Sequence, residues 1–81
     1  MKKEEISAKV CEIVVEQNCL DKEEVKAEAN LKEDLALDSL DIVELTMKCE
    51  KEFNVTIKDE EAEAIVTVGD ITNLVDKKIN S

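Results

Sequence analysis

Residues 38–53 read DSLDIVELTMKCEKEF. On a helical wheel at about 100° per residue, Ile42, Leu45, Thr46, Cys49 and Phe53 gather on one side. Leu40, Val43 and Met47 gather roughly opposite. Asp41, Glu44, Lys48, Lys51 and Glu52 lie between them on one flank. The spacing predicts a helix from Ser39 to Phe53. Asp38 before it and Asp41 three residues later form its start signal, an all-Asp version of the reciprocal cap in which each side chain takes an N–H of the other. A helix of a small bundle normally shows one apolar stripe. Here one stripe can enter a core. The second either meets a neighbouring helix or forms an exposed apolar strip rimmed by acids, a pattern that suits transient docking. Met47, at the far end of the strip, suits adaptable recognition.

Outward from this segment the same period recurs. Ile6, Val10, Ile13 and Val14 predict a first helix from about Lys3 to Gln17, with Asn18 as the left-handed residue that ends it. A polar stretch from Asp21 to Asp34 follows, with Val25 and Leu31 as its only large apolar residues. It reads as an ordered loop pinned at two points, with a short turn at residues 22–25. After Phe53 the pattern breaks at Asn54, and Val55 and Ile57 tuck inward from a short link. Asp59, Glu60 and Glu61 suit the first turn of a short third helix, with Ala62 and Ile65 inside. The last helix starts near Thr67. Val68, Ile71, Leu74, Val75 and Ile79 form its inner face, and Lys77 and Lys78 stand in its last turn, where positive charge is favoured. The expectation is an all-α fold: a four-helix bundle with a long loop between helices 1 and 2 and a short third helix, residues 1–81 making one domain.

Composition agrees and narrows the function. The 81 residues include one Gly, no Pro and one aromatic, which is little material for a hairpin-rich fold. The net charge of −10 argues against nucleic acid, whose phosphates would be repelled, and for basic protein surfaces. Residues 34–63 hold ten acids against three lysines, which places −7 of the total in that segment. Apolar runs such as Ile13–Val15 are too short for a membrane span. Cys11, Cys19 and Cys49 form an odd set without metal-ligand spacing, and there is no His, so no metal site is expected. Free thiols in a reducing cytoplasm are the simple reading. The acids of residues 34–41 also lack the Gly and alternating ligands of a calcium loop.

Ser39 admits two readings. It can simply help to begin the helix. With no His in the chain, nothing is available to activate its hydroxyl in a triad, so covalent catalysis by this chain alone is not expected. A hydroxyl at a helix start can also carry a phosphate, because the unpaired N–H groups there favour negative charge, although Asp38 and Asp41 oppose it. Any such modification would need an outside enzyme.

The stretch Asp34-Leu35-Ala36-Leu37-Asp38-Ser39-Leu40-Asp41, with Val43-Glu44-Leu45 and Phe53 behind it, resembles the acyl carrier proteins. Residues 57–63, Ile-Lys-Asp-Glu-Glu-Ala-Glu, are similar to the third-helix region of that family, and Thr67-Val68 to the start of its last helix. The resemblance spans about Ile6 to Ile79. It implies a four-helix bundle whose serine, here Ser39, carries a 4′-phosphopantetheine arm. A phosphopantetheinyl transferase (the family's holo-protein synthase) installs the arm from coenzyme A, using magnesium that this chain need not hold. The arm's thiol then carries acyl groups as thioesters, and partner enzymes do the chemistry. A non-catalytic, cytoplasmic, monomeric carrier is therefore implied, with no nucleic acid partner and no membrane span.

By the same resemblance, Leu40, Val43 and Met47 with Asp38, Asp41, Glu44 and Glu50 form a docking surface for enzymes that carry basic patches, and Ile57, Glu60 and Ile65 extend it or line the opening nearby. Leu35, Thr46, Cys49, Phe53, Ala62, Ile65, Ile71 and Leu74 line a pocket for the acyl chain. Fatty acid biosynthesis is the leading pathway. A polyketide or aminoacyl carrier, and an unmodified acidic interaction module, are the alternatives. The sequence departs from the family's usual pattern at Ala36, where Gly is common, at Lys58, where Pro is frequent, and at Cys49, Lys48, Lys51 and Ile71. These bear on cargo size and partner choice.

Overall fold

In the computed structural model, which describes residues 2–80, the helices are α1 (Lys3–Asn18), α2 (Ser39–Phe53), α3 (Asp59–Glu63) and α4 (Val68–Asn80). The chain is thus all-α. α1 packs on α4 and α2, and α2 also meets α4 and α3. Ile6, Val10 and Val14 of α1, Leu45 and Cys49 of α2, and Ile71 and Val75 of α4 meet in the middle, each wholly removed from solvent. The 3.6-residue period places these side chains on inward stripes, and their burial stabilises the bundle by roughly 1.5–3 kcal/mol for each large aliphatic.

Every helix begins in the same way: an acid at its third position reaches back to an N–H just outside. Glu5 accepts from Lys2 N at 3.2 Å, Asp41 from Asp38 N at 3.2 Å, and Glu61 from Lys58 N at 3.0 Å. Asp70 accepts from both Thr67 N and Val66 N at 3.0 Å. In α2 and α4 the favour is returned. Asp38 accepts from Asp41 N at 2.9 Å, and the Thr67 hydroxyl from Asp70 N at 3.2 Å. Part of the acidity that looks like mere surface charge in the sequence therefore holds helix starts together. The N–H groups of Thr67 and then Val66 keep the Asp70 carboxyl below the usual range. Lys58 stands where the family often has Pro. Its φ of −76 is one Pro also adopts, and its N–H, which Pro would lack, serves Glu61.

The end of α1 differs from expectation. Asn18 is still helical, and its side-chain amide donates to Val14 O at 3.2 Å, which ties it into the last turn. The left-handed residue is Cys19, with φ 52 and its N–H on Val15 O. Asn54 ends α2 in the same conformation, φ 54.

The long α1–α2 loop is pinned more firmly than at two points. Val25, Ala29, Leu31, Leu35 and Leu37 are all buried. Its backbone is also strapped to the link before α4: Leu31 N donates to Val66 O at 2.9 Å and Val68 N to Ala29 O at 3.1 Å, forming an isolated antiparallel bridge at Asn30 and Thr67. One step on, Gly69 N donates to Ala27 O at 2.8 Å, and a Cβ at Gly69 would stand 2.9 Å from that same oxygen. The single glycine of the chain lies at this close approach.

Candidate functional site: the Ser39 cleft

The turn into α2 is built before the serine is reached. Asn30 Oδ1 accepts from Lys32 N and Glu33 N, and Asn30 N donates to Asp34 Oδ2 at 2.7 Å. Leu37 N then donates to Leu31 O at 2.9 Å, which brings the two ends of the turn together. Between them Ala36 takes φ 55, the left-handed region. This accounts for the family's glycine there: a Cβ in that conformation costs roughly 1–2 kcal/mol. Ala36 keeps the turn and bears the strain.

Asp38 and Asp41 close their reciprocal cap around the first turn of α2, so Ser39 becomes its first helical residue. Its side chain is exposed, and among the described residues its hydroxyl has no hydrogen-bond partner. The cap belongs to Asp38, so Ser39 itself is not required for capping. Ser39 opens onto a cleft of about 630 Å³. Ile42, Val43, Thr46, Met47 and Glu50 of α2 form one wall. Ile57, Asp59, Ala62, Glu63 and Ile65, from α3 and its flanks, form the other, and Lys32 closes one side. The Thr46 hydroxyl donates to Val43 O at 2.8 Å, so its polar atom is satisfied and the cleft wall there is effectively apolar.

The second stripe of α2 faces solvent. Leu40 is 66% exposed, Met47 55% and Val43 46%. Glu44 is exposed one turn from Leu40, Glu60 is exposed on α3, and Glu50 is half-buried at the cleft wall. Lys48, on the same flank of α2 as Glu44, pairs with Glu52 (3.5 Å), which also reaches Lys9 of α1 (3.7 Å).

Ile57, expected to tuck inward and to extend the docking surface or line the opening beside it, is buried in the cleft wall, where the chain returning from Asn54 turns it toward α2. Of the eight side chains assigned to an acyl pocket, Thr46, Ala62 and Ile65 line the cleft. Leu35, Cys49, Phe53 and Ile71 are packed into the core and do not, and Leu74 is half-buried on α4. Burial pushes the Cys49 thiol up to about 12, helped by the charges of Glu52 and Glu50. Val66, 51% exposed beside the cleft residue Ile65, was not singled out by periodicity, because it lies in a link with no period of its own. One ion pair holds α3 to α4, Lys78 to Glu61 at 2.8 Å, and with the Lys58 N–H it keeps the Glu61 carboxyl below the usual range.

The arrangement offers an unengaged hydroxyl, an apolar-walled cleft next to it and an exposed apolar strip among acids. No side chain among the described residues is hydrogen-bonded to that hydroxyl to take its proton. Among the described residues no group of acids or thiols is placed to hold a metal ion. No described helix is long and apolar enough to cross a membrane.

Comparison with known proteins places the same residues in a wider pattern. The model of a family described as "Phosphopantetheine attachment site" matches residues 8–75. A protein of Prochlorococcus marinus named acyl carrier protein is 49% identical over 78 residues, covering 96% of this chain and 98% of the relative. One of Petrotoga mobilis with the same name is 48% identical over 80 residues, covering 99% and 94%. A third, from Wolinella succinogenes, is 54% identical over 65 residues, covering 80% and 86%.

Proposed function

The chain belongs to the acyl carrier proteins, and from that premise we propose that Ser39 is the residue on which its 4′-phosphopantetheine arm is carried. As a member of that family it is a non-catalytic carrier acted on by partner enzymes. The observation that carries the assignment is the state of the Ser39 hydroxyl: exposed, without a hydrogen-bond partner among the described residues, and at the mouth of a cleft. Capping, the competing role for a serine at a helix start, is already performed by Asp38.

The arm, when attached, supplies a thiol that holds acyl groups as thioesters. What this chain's own residues do is hold, shelter and present. Asp38 and Asp41 fix the first turn so that the Ser39 oxygen points outward to an incoming enzyme. The walls formed by Ile42, Thr46, Ile57, Ala62 and Ile65 offer an apolar surface, and each CH₂ sheltered there gains roughly 0.8 kcal/mol. Leu40, Val43 and Met47 form the contact strip. Glu44, Glu60 and the outer edge of Glu50 guide partners with basic surfaces, among them a phosphopantetheinyl transferase.

Fatty acid synthesis is the pathway this reading favours. It is supported by the concentration of negative charge on α2 and α3 and by a cleft that suits unbranched apolar cargo. The near-full coverage of the relatives supports residues 1–81 as one carrier domain. The three free thiols support a reducing, cytoplasmic setting.

The test is intact mass after incubation with coenzyme A, magnesium and a broad-specificity transferase. The wild type should gain one arm and Ser39→Ala none. A wild type without the gain, or a gain that persists in Ser39→Ala, overturns the assignment. An unmodified interaction module would instead keep full partner binding in Ser39→Ala.

A further inference from the structure

We propose that Lys32 is a positioning residue for the arm, its ammonium pairing with the phosphodiester that joins the arm to Ser39. The inference rests on the assignment of Ser39 above. It starts from a charge imbalance. The phosphodiester places a negative charge beside Asp38 and Asp41, in a chain of net charge −10. The charged residues lining the cleft beside it are Glu50, Asp59, Glu63 and Lys32, so among the described residues Lys32 is the one cation of the cleft.

Backbone geometry keeps Lys32 in place. Leu31, immediately before it, is wholly buried and donates to Val66 O at 2.9 Å. The Leu31 carbonyl accepts from Leu37 N, which lies two residues before the serine. The Lys32 N–H is fixed on Asn30 Oδ1 at 3.0 Å. The root of the lysine is therefore tied to the same turn that delivers Ser39. Its tip is uncommitted: the ion pairs of the described residues use Lys9, Lys48 and Lys78, and Lys32 has none. An ammonium on a flexible four-carbon stem acts as a point charge and does not require the planar geometry of a guanidinium, so it can follow a phosphodiester that is itself on a rotatable bond. Because Lys32 and Ser39 line the same cleft, pairing with Lys32 draws the base of the arm toward it. Lys32 thereby biases the arm toward its sheltered position.

The test is phosphorus NMR of the arm-loaded protein for wild type, Lys32→Gln, Lys32→Arg and Lys58→Gln, with intact mass of each sample taken first. Lys58 is the control, a neighbouring lysine outside the cleft lining. In low salt the phosphodiester resonance should move by more than its linewidth in Lys32→Gln and stay at the wild-type position in Lys32→Arg and Lys58→Gln. Added salt should carry the wild-type resonance toward that of Lys32→Gln, since an exposed pair is screened. A resonance unchanged in Lys32→Gln, or moved equally by Lys58→Gln, overturns the role of Lys32 while the mass gain leaves Ser39 standing. Absence of the mass gain in every sample overturns both.

Discussion

Leu45 and Leu40 are the same residue type on the same helix, yet Leu45 is wholly buried and Leu40 is 66% exposed. The two faces of α2 have separate tasks. Leu45, Cys49 and Phe53 hold the bundle together and make no contact with solvent that a partner could use. Leu40, Val43 and Met47 keep about half or more of their surface in solvent and remain available. Apolar character in the sequence is therefore no guide to burial here. What separates the faces is which side of the helix α1 and α4 already cover.

The largest effect expected from this contrast is on stability. Leu45→Ala removes a fully enclosed side chain and should cost about 3 kcal/mol, within the range typical of such truncations. Leu40→Ala should stay within about 0.5 kcal/mol. Urea unfolding of the two variants measures this as a shift in midpoint at constant slope. A Leu40→Ala loss approaching that of Leu45→Ala would show that the outer strip is packed after all.

Cys49 probes the buried face by pH. Its thiol is pushed up to about 12 by burial, with Glu52 and Glu50 adding to the effect, from an ordinary value of 9.0. Above pH 9 the unfolded chain releases this proton while the folded chain retains it, so the folded state binds more protons and its stability falls as pH rises. The loss runs from about 9 toward 12, at most about 1.4 kcal/mol for each unit of pH. Cys49→Ala, though less stable at pH 7, should lose less stability per unit of pH over that window than the wild type. Equal slopes would place Cys49 in contact with water.

Which stripe of α2 is buried depends on α1 and α4, but the two stripes themselves were legible from residue spacing alone, because a 3.6-residue period needs no knowledge of the rest of the chain. α1 and α4 were legible for the same reason. The five-residue α3 has too little length for a period, and only its run of acids marks it. The strap between Ala29–Leu31 and Val66–Val68 left no trace, since a backbone bridge between distant segments imposes no pattern on side chains. The exposure of Val66 and the fit of Gly69 against Ala27 depend on that strap and were illegible with it, whereas the burial of Ile57 was expected from the inward turn of the short link after Asn54. Ser39 was visible as a cap or an anion site. Its assignment as an attachment point came from resemblance, not from local chemistry.

The ends of α2 extend the contrast in a smaller effect. Asn54 and Ala36 hold nearly the same positive φ, 54 and 55. Asn tolerates that conformation and Ala does not, so the turn before Ser39 is the more strained of the two. Ala36→Gly should relieve the strain while adding freedom to the unfolded chain, for a net gain of about 0.5 kcal/mol. Thermal unfolding would show a small rise in midpoint. A fall would mean that the Ala36 methyl makes a contact worth more than the strain.

The outer face should respond least in stability and most in encounter. Glu44 is exposed beside Leu40, makes no ion pair among the described residues and takes no part in a cap. Reversing it should therefore leave unfolding unchanged within about 0.5 kcal/mol. If the acids guide basic partners, Glu44→Lys removes one attraction and adds one repulsion at the rim of the strip. Association with a phosphopantetheinyl transferase should slow several-fold at low salt, and the difference should shrink as salt screens charges beyond about 10 Å at 0.1 M. Stopped-flow association at two ionic strengths reads this directly. An equal slowing at both would mean that the lysine obstructs contact by its shape, and the division of α2 would then lie between packing and fit, with charge no longer part of it.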